Sequence, residues 1–181
     1  KENPGEFIKR ILKSKHESVI EHVSFTFRVE GVSRALSHQL VRHRLASYSQ
    51  RSQRYVKEDM FDYITPPSIY IPTADKTPLL PDIDTTVAAA EFDEAMMYLQ
   101  NKYNKLISLG IPKEDARFVL PNACETKFVM TANAREFRHI LTLRMSKHAQ
   151  WEIRRMVRTM YDLVMEVAGP LFEDLKELRG S

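Results

Sequence analysis

Arginine is concentrated in one short stretch of this 181-residue chain, residues 42–55, which has the sequence RHRLASYSQRSQRY. The wider segment from Gly31 to Lys57 contains no Asp or Glu, although the whole chain has 24 acidic residues. Arginine presents a planar fork of donors that suits phosphate and carboxylate groups, and neighbouring serine and glutamine side chains can complete the hydrogen-bond shell of an oxyanion. The pattern predicts a site for a phosphorylated ligand, although an acid-free run of arginines is also typical of a solvated helix face.

These arginines are compatible with two kinds of protein. Arginine-rich helices are common in nucleic-acid-binding domains, whereas convergent arginines are typical of enzymes that act on small phosphorylated molecules. The formal net charge of +3 is too small for the broad basic field of a DNA-binding protein, and the sequence contains no recognisable DNA-binding motif. Further arginines at Arg135, Arg138 and Arg144 mean that several segments could converge on one anion. Charge alone leaves both interpretations open.

The composition is that of a globular domain. A chain with 43% hydrophobic and 28% charged residues is long enough to bury a core and predicts one domain over residues 1–181. The single cysteine, Cys124, excludes an internal disulfide framework and favours a reducing compartment. No apolar run approaches the length of a membrane span, and the N-terminal residues lack the core of a signal peptide. We therefore expect a cytoplasmic protein.

Two segments have the pattern of strands. Between residues 23 and 29, apolar residues alternate with polar ones, which is the period-two pattern of a strand with one buried face, and we expect Gly31 to end this strand. Residues 126–131 are a weaker strand candidate. Five of the nine prolines fall between residues 64 and 84, which predicts an extended loop there.

Helical spacing of apolar residues and capping residues account for most of the remaining chain. The predicted helices are one that begins at Ser33, one over 85–109 with Gly110 at its C-terminus, a short one from Pro112 to before Pro121, one from Asn133 toward Met145, and one over 146–168. The order of strands and helices predicts an α+β fold, with a sheet that contains antiparallel strands and packs against long helices.

The spacing of the basic stretch is more informative than its charge. The pattern Arg42-His43-Arg44-x-x-Ser47-x-x-x-x-Ser52-x-Arg54 resembles the signature of the flavin-dependent thymidylate synthases. Three further segments resemble other parts of that family in the same order: HESVIEHVSFTF at 16–27, DARFVLP at 115–121, and NAREFRHILTLRMSKHAQWEI at 133–153. The resemblance covers the chain from about residue 16 to residue 155.

The resemblance implies an activity and an assembly. Members of the family make dTMP from dUMP, with a methylene group from 5,10-methylenetetrahydrofolate and a hydride that passes from NADPH through FAD. They are homotetramers whose sites combine residues from several chains, and their partners include neither nucleic acid nor membrane. Relatives usually carry a further strand and helix before the point where this chain begins, so we expect that segment to be absent here.

The resemblance also implies a role for each matching residue. The residues expected to bind FAD are Ser18, Arg42, His43, Arg44, Gln50, Asn133, Arg135 and His139. The residues expected to bind dUMP are Gln39, Arg42, Gln50, Arg51, Ser52, Gln53, Arg54, Arg117 and Arg144. Arg144 is the expected catalytic residue, a fixed cation at the pyrimidine that favours ionisation at N3 and so raises electron density on the carbon to be methylated. Two positions depart from the family pattern, since Gln50 is often Glu in relatives and His139 stands where Asn is common.

Three other residue types could have carried chemistry. Ser52 could be a nucleophile or a phosphate ligand, and binding is favoured because no general base adjoins it in the sequence. Cys124 lies outside every matched motif and is expected to be structural. His16 and His22 have weak metal-ligand spacing, so we expect no metal.

Overall fold

The computed structural model of the chain describes residues 3–69 and 85–180 and has an α+β fold. Within these residues the helices are α1 (Pro4–Lys13), α2 (Arg34–Leu40), α3 (Thr85–Ser108), α4 (Lys113–Ala116), α5 (Ala134–Arg144), α6 (Trp151–Ala168) and α7 (Lys176–Gly180). The strands are β1 (Ser24–Ser33), β2 (Ser47–Gln50) and β3 (Glu125–Asn133). Short 3-10 turns occupy Glu17–His22, Arg117–Val119, Gly169–Leu171 and Glu173–Leu175.

The three strands form one small antiparallel sheet in the order β1-β3-β2. The hydroxyls of Thr26 on β1 and Thr131 on β3 are 2.9 Å apart, which fixes the register of this pair. Residues alternate in exposure along β3, as expected of a sheet with one covered face.

The described chain forms two compact units. The first comprises the described residues of Lys1–Val29, Leu36–Ser49 and Phe128–Ser181, and the second those of Glu30–Ala35 and Gln50–Lys127.

The core of the first unit is built by α5, α6 and the aromatic residues that they cover. Phe137 of α5 is fully buried, and its ring centroid lies 6.0 Å from that of Phe25 and 5.7 Å from that of Phe172. The inward face of α6 is buried at every position that helical spacing predicts: Ile153, Val157, Met160, Tyr161 and Val164. This packing holds α5, which carries Arg144 at its C-terminal end.

The core of the second unit packs α3 against the segment that follows the basic stretch. Phe61, Met96 and Cys124 form its buried cluster, and the fully buried Tyr103 lies on the same helix as Met96. The Gln100 side chain fastens α3 to this segment, because its Oε1 accepts from the Phe61 N–H at 2.8 Å and its Nε2 donates to the Glu58 carbonyl at 2.9 Å.

Most of the predicted elements are confirmed. The predicted strands correspond to β1 and β3, and the first four predicted helices correspond to α2, α3, α4 and α5. Asn133 caps α5 as expected, since its side chain accepts from the Glu136 N–H at 2.9 Å. Gly110 follows α3 with a φ of +87°, the left-handed conformation that ends many helices. The predicted loop over 64–84 lies for the most part outside the described residues.

Two predicted boundaries are wrong, and three elements, of which α7 is one, were not predicted. β1 does not end at Gly31 but continues to Ser33, because Gly31 adopts a φ of +69° at no steric cost within the strand. The last long helix begins at Trp151 and not near 146, because the Gln150 side chain caps it. The sequence patterns gave no sign of α1 or of the short strand β2.

Candidate functional site

Arg144 is the predicted catalytic cation, and its guanidinium is held by two groups of the first unit. Its Nε donates to Nε2 of His43 at 3.0 Å, and Nη2 donates to the backbone carbonyl of Gln39 at 3.3 Å. The Arg144 side chain is only half-buried, so part of it stays open to a ligand. The structure therefore brings Arg144 together with two other predicted site residues, Gln39 and His43, which precede it by 105 and 101 positions in the sequence.

His43 is buried, with 6% of its surface exposed. The pKa of His43 is lowered from 6.5 to about 4, chiefly by burial, with smaller contributions from the positive charge of Arg144 and the proximity of His139. The imidazole is therefore neutral at physiological pH. Because its Nε2 accepts a hydrogen bond from Arg144, its single proton must be on Nδ1.

The Nδ1 side of the imidazole faces a buried carboxylate. Oε1 of Glu136 lies 3.6 Å from Nδ1 of His43, and 6% of Glu136 is exposed. Burial raises the pKa of Glu136, and His139 opposes this shift. A neutral histidine thus stands between a carboxylate on one side and a guanidinium on the other.

The backbone of His43 is held by Tyr48, on β2. The Tyr48 hydroxyl donates to the Leu40 carbonyl at 2.9 Å and lies 3.3 Å from the His43 carbonyl. Burial, helped by the negative charge of Glu136, raises the pKa of Tyr48 to about 12, so the hydroxyl keeps its proton and remains a donor.

Arg42 and Arg44 flank the buried His43, and both are exposed. Within the part of the chain that the structure describes, neither arginine makes an ion pair or a hydrogen bond through its side chain. Their guanidinium groups therefore keep their donors available for an anion. These are the two predicted FAD residues whose surroundings suit a pyrophosphate best.

The other residues predicted for FAD in the first unit have different surroundings. Ser18 is exposed on the 3-10 turn that packs against α5, and His139 is exposed with its ring centroid 6.0 Å from that of His43. Arg135 is already paired, with Glu21 at 2.6 Å and Glu17 at 3.5 Å. Arg135 therefore has to exchange acidic partners before it can hold a phosphate group.

In the second unit, the acid-free run of cations is neutralised by acids from beyond the run. Arg54 contacts Glu114 through Nε at 3.2 Å and Nη2 at 2.9 Å. Two further ion pairs involve the same segment: Arg51 lies 3.5 Å from Glu58, and Lys57 lies 3.1 Å from Asp59. Arg51 and Lys57 are therefore paired with the acids that directly follow the acid-free segment, and Arg54 is paired with Glu114, which the fold brings from a distant part of the sequence.

The remaining residues of the predicted dUMP set differ in their contacts. Gln50 donates through Nε2 to the Thr126 hydroxyl at 3.0 Å, and Gln53 is half-buried. The Ser52 hydroxyl accepts from the Arg54 N–H at 3.2 Å, which is the bond of a local turn. Arg117 donates through Nε to the Glu114 carbonyl at 3.0 Å and is half-buried. In this geometry Ser52 shapes the turn that carries Arg54.

A cavity of about 250 Å³ lies beside Arg51 in the second unit. It is lined by Glu30, Arg51, Glu58, Met60, Asp62, Glu125, Thr126 and Lys127. Four of these residues are acidic and two are basic, so acidic side chains predominate in the lining.

Cys124 is fully buried and reduced. Burial raises the pKa of its thiol from 9.0 to about 12, and Glu58 acts in the same direction while Arg34 opposes it. A thiol with this pKa is almost entirely protonated at neutral pH and is a poor nucleophile. The geometry supports a structural role for Cys124.

Among the described residues, no group of three or more His, Cys, Asp or Glu residues lies in an arrangement that could hold a metal ion. No helix in the described part of the chain has the length and apolar character needed to cross a membrane.

The sequence matches known proteins over most of its length. Residues 1–169 match the family model described as thymidylate synthase complementing protein. The flavin-dependent thymidylate synthase of Geobacter sulfurreducens is 47% identical over 170 residues, which is 93% of this chain and 68% of that relative. The enzyme of the same name from Clostridium tetani is 45% identical over 95% of this chain and 70% of its own length, and that of Pyrococcus furiosus is 40% identical over 86% and 60%.

The chain belongs to the flavin-dependent thymidylate synthase family. This finding decides between the two interpretations of the arginine-rich stretch in favour of the enzyme. The family signature led to Arg144 and His43 from the sequence, but it gave no sign of the buried Glu136, of the Tyr48 hydroxyl or of the acids that pair with Arg51 and Arg54. A Glu three residues after the helix cap Asn133 suggests only a capping role, and no local pattern could have related Glu136 to His43.

Proposed function

We propose that this chain synthesises dTMP from dUMP by reductive methylation, as a flavin-dependent thymidylate synthase with NADPH and 5,10-methylenetetrahydrofolate as co-substrates. The observation that carries the proposal is the half-buried Arg144 guanidinium, held by the neutral His43 in a chain of this family. A cation fixed in place before the reaction can stabilise negative charge that develops on a substrate.

The residues of the first unit fit FAD. Arg42 and Arg44 are exposed, and their side chains make no ion pair with any described residue, which suits the pyrophosphate of the cofactor. Ser18, Gln50, Asn133, Arg135 and His139 are the further members of the proposed set. The chemistry that FAD supplies when bound is the transfer of a hydride from NADPH to the transferred one-carbon unit.

The proposed dUMP set provides cations for the phosphate and Arg144 for the pyrimidine. Arg51 and Arg54 are paired with carboxylates, so the phosphate of dUMP exchanges with Glu58 and Glu114 when it binds. Gln39, Arg42, Gln50, Ser52, Gln53 and Arg117 are the further members of this set. The exchange keeps each guanidinium paired in both states, and this limits the cost of an unpaired cation in the free enzyme.

Arg144 carries the proposed catalytic role. Its guanidinium lies against the pyrimidine and favours the form that has lost the N3 proton, which raises electron density on the carbon to be methylated. The Arg144 Nε–H is used to bind His43 and one Nη2 hydrogen is used to bind the Gln39 carbonyl, so Nη1 and the second Nη2 hydrogen are the donors left for the substrate. Because the guanidinium is already held, it does not have to reorganise as charge develops.

The assembly and location rest on the family resemblance and on composition. We infer a homotetramer whose sites combine residues from several chains, without a nucleic-acid or membrane partner. The cytoplasmic location remains a prediction that rests on the single cysteine.

The experiment that tests the proposed function is a titration with FAD, followed by a dTMP assay. Wild-type protein should bind FAD with the absorbance of an oxidised flavin and should form dTMP from dUMP when both co-substrates are present. Arg44→Ala should lose FAD affinity, whereas Lys57→Ala, which removes a cation paired with Asp59, should keep it. A protein that binds no FAD, or that binds single-stranded DNA in its place, overturns the proposal.

A further inference from the structure

Glu136 is a buried carboxylate that none of the predicted roles uses. It lies on the first turn of α5, and 6% of its surface is exposed. A carboxylate in such a place costs free energy unless a partner compensates for the water that it loses. Its position suggests a capping role, but its carboxylate contacts the imidazole of His43, with Oε1 3.6 Å from Nδ1.

The contact with Arg144 places a constraint on the histidine. Nε2 of His43 can accept from the Arg144 Nε–H only if Nε2 carries no proton. A neutral imidazole carries one proton, on either Nδ1 or Nε2. The hydrogen-bond partners of the two nitrogens decide which of them carries it. The group that faces the other nitrogen, Nδ1, is the Glu136 carboxylate.

The position of the imidazole is fixed independently of its tautomer. The Tyr48 hydroxyl binds the Leu40 carbonyl at 2.9 Å, and the His43 N–H donates to the same carbonyl at 3.0 Å. The backbone of His43 is thus held from β2 and from the end of α2. These backbone contacts leave the tautomer open, and it is set by the two groups that face the ring nitrogens: the Arg144 Nε–H at Nε2 and the Glu136 carboxylate at Nδ1.

We infer that Glu136 is a positioning residue for Arg144: its carboxylate holds the proton of His43 on Nδ1, and Nε2 is thereby left free to accept from the Arg144 guanidinium. The inference rests on the proposed function of Arg144 and extends it by one residue. Without the carboxylate, the tautomer with the proton on Nε2 becomes populated, and in that tautomer His43 faces Arg144 with an N–H instead of a lone pair. Arg144 then loses the contact that holds it against the substrate.

The first arm of the test measures the tautomer directly, without substrate. Nitrogen-15 NMR of the histidine-labelled chain reports the protonation of each ring nitrogen, and the His43→Gln spectrum identifies the signal of His43 among the six histidines. We expect the Nδ1–H form in the wild type and a mixture of tautomers in Glu136→Leu. Persistence of the pure Nδ1–H form in Glu136→Leu would overturn the inference.

The second arm measures turnover of the FAD-loaded enzyme. Glu136→Leu should lower kcat by up to about 100-fold, the effect of moving a catalytic group by about 1 Å, while FAD content stays as in the wild type. Glu136→Gln should show a smaller loss, because its amide oxygen can still accept from Nδ1–H. In an Arg144→Lys background, Glu136→Leu should cause little further loss, because the lysine has no Nε–H to be positioned. An equal loss in both backgrounds would show that Glu136 acts on the fold and not through Arg144.

Control variants separate positioning from folding. Asp174→Asn removes the carboxylate that binds Arg138 of the same helix at 2.6 Å, and it should change neither the tautomer nor kcat. If Glu136→Leu does not fold, Glu136→Met carries the test, because its side chain has a similar length and no oxygen acceptor, and an unchanged tautomer together with an unchanged kcat would overturn the inference. A protein that shows the expected change of tautomer but makes no dTMP would overturn the proposed function and leave the inference about His43 standing.

Discussion

At the scale of single residues, the arginines of this chain differ in what already holds them. Arg144 is bound to His43 and to the Gln39 carbonyl, Arg54 is bound to Glu114, and Arg44 has no ion pair with any described residue. A cation that must act on developing charge gains from being fixed beforehand. A cation that must capture a mobile cofactor gains from free donors. The contacts therefore support a division of the arginines between catalysis and cofactor binding.

Substitution of Arg144 and of Arg44 should produce opposite losses. Arg144→Ala should lower turnover by on the order of 10²–10³, the usual cost of one preorganised electrostatic contact, and leave FAD content near that of the wild type. Arg144→Lys should lose most activity as well, because a flexible point donor cannot reproduce the guanidinium fork or the Nε contact with His43. Arg44→Ala should lose FAD first. The measurements are FAD content, dUMP affinity and dTMP formation, made side by side.

The opposite result would contradict the assigned roles. If Arg144→Ala empties the flavin site while Arg44→Ala leaves it full, the division between the two phosphorylated ligands is wrong. Lys57→Ala serves as the matched control for the loss of one positive charge in the same basic segment.

His43 should make the fold less stable in mild acid. Its pKa is about 4 in the folded chain against 6.5 for the unperturbed group, because burial, Arg144 and His139 disfavour its protonated form. Between these two values the unfolded chain binds a proton that the folded chain does not, so stability falls as the pH is lowered from 6.5 to 4. The shift amounts to roughly 3 kcal/mol over the whole window.

The measurement is urea unfolding of the wild type and of His43→Gln at a series of pH values from 7 to 4. The stability of the wild type should fall more steeply than that of His43→Gln, since glutamine does not titrate. Glu136, whose pKa is raised by burial, contributes a slope of opposite sign in both proteins and largely cancels in the difference. Equal slopes for the two proteins would mean that His43 titrates normally in the folded chain.

At the scale of the elements, the sequence was sufficient to predict those helices and strands whose position is set by neighbouring residues. Alternating residues predicted β1, and capping by Asn133 predicted the start of α5. The start of α6 was missed because its cap is Gln150, which is not among the residues that usually cap helices. The short β2 was missed because four residues carry too little periodic signal, and its pairing partner β3 lies far along the chain.

The candidate site shows the same limit more strongly. The motif identified the cations of residues 42–54, but the acids that hold Arg54 and face His43 come from positions 114 and 136. Such contacts depend on packing between distant segments, which a linear pattern does not encode. The sequence therefore predicted which side chains do chemistry more reliably than which side chains position them.

The unusual cap of α6 leads to a prediction about stability. The Oε1 atom of Gln150 accepts from the N–H groups of Glu152 at 2.9 Å and Ile153 at 3.1 Å, so Gln150→Ala leaves two donors of the first turn without this partner. We expect a loss of about 1 kcal/mol in the free energy of unfolding, the usual cost of removing a side-chain cap. Urea unfolding at pH 7 measures it.

Lys147→Ala is the matched control, because Lys147 is exposed in the preceding turn and contributes only its backbone carbonyl to a contact with Arg154. It should change the stability by less than about 0.5 kcal/mol. If Gln150→Ala changes the free energy of unfolding no more than this control does, water replaces the cap fully and the start of α6 is set by packing alone.

At the scale of the whole molecule, the members of the proposed dUMP set lie in distant parts of the sequence. Gln39, Arg51 and Arg54 lie in the first third of the chain, and Arg144 lies in its last quarter. In a homotetramer with shared sites, the residues that contact one dUMP do not all come from one chain. A chain that lacks one residue can then be complemented by a chain that lacks another.

Mixed assemblies of two weakly active variants test this directly. Arg144→Ala and Arg54→Ala chains, co-expressed with different tags and purified through both, should recover activity at low dUMP if a site takes Arg144 and Arg54 from different chains. Random mixing then gives about a quarter of the sites both arginines. Wild-type chains co-expressed with the Arg54→Ala/Arg144→Ala double variant provide the reference for mixing, because about a quarter of shared sites are intact there as well. Mixed assemblies no more active than either variant alone would show that each site takes both arginines from a single chain.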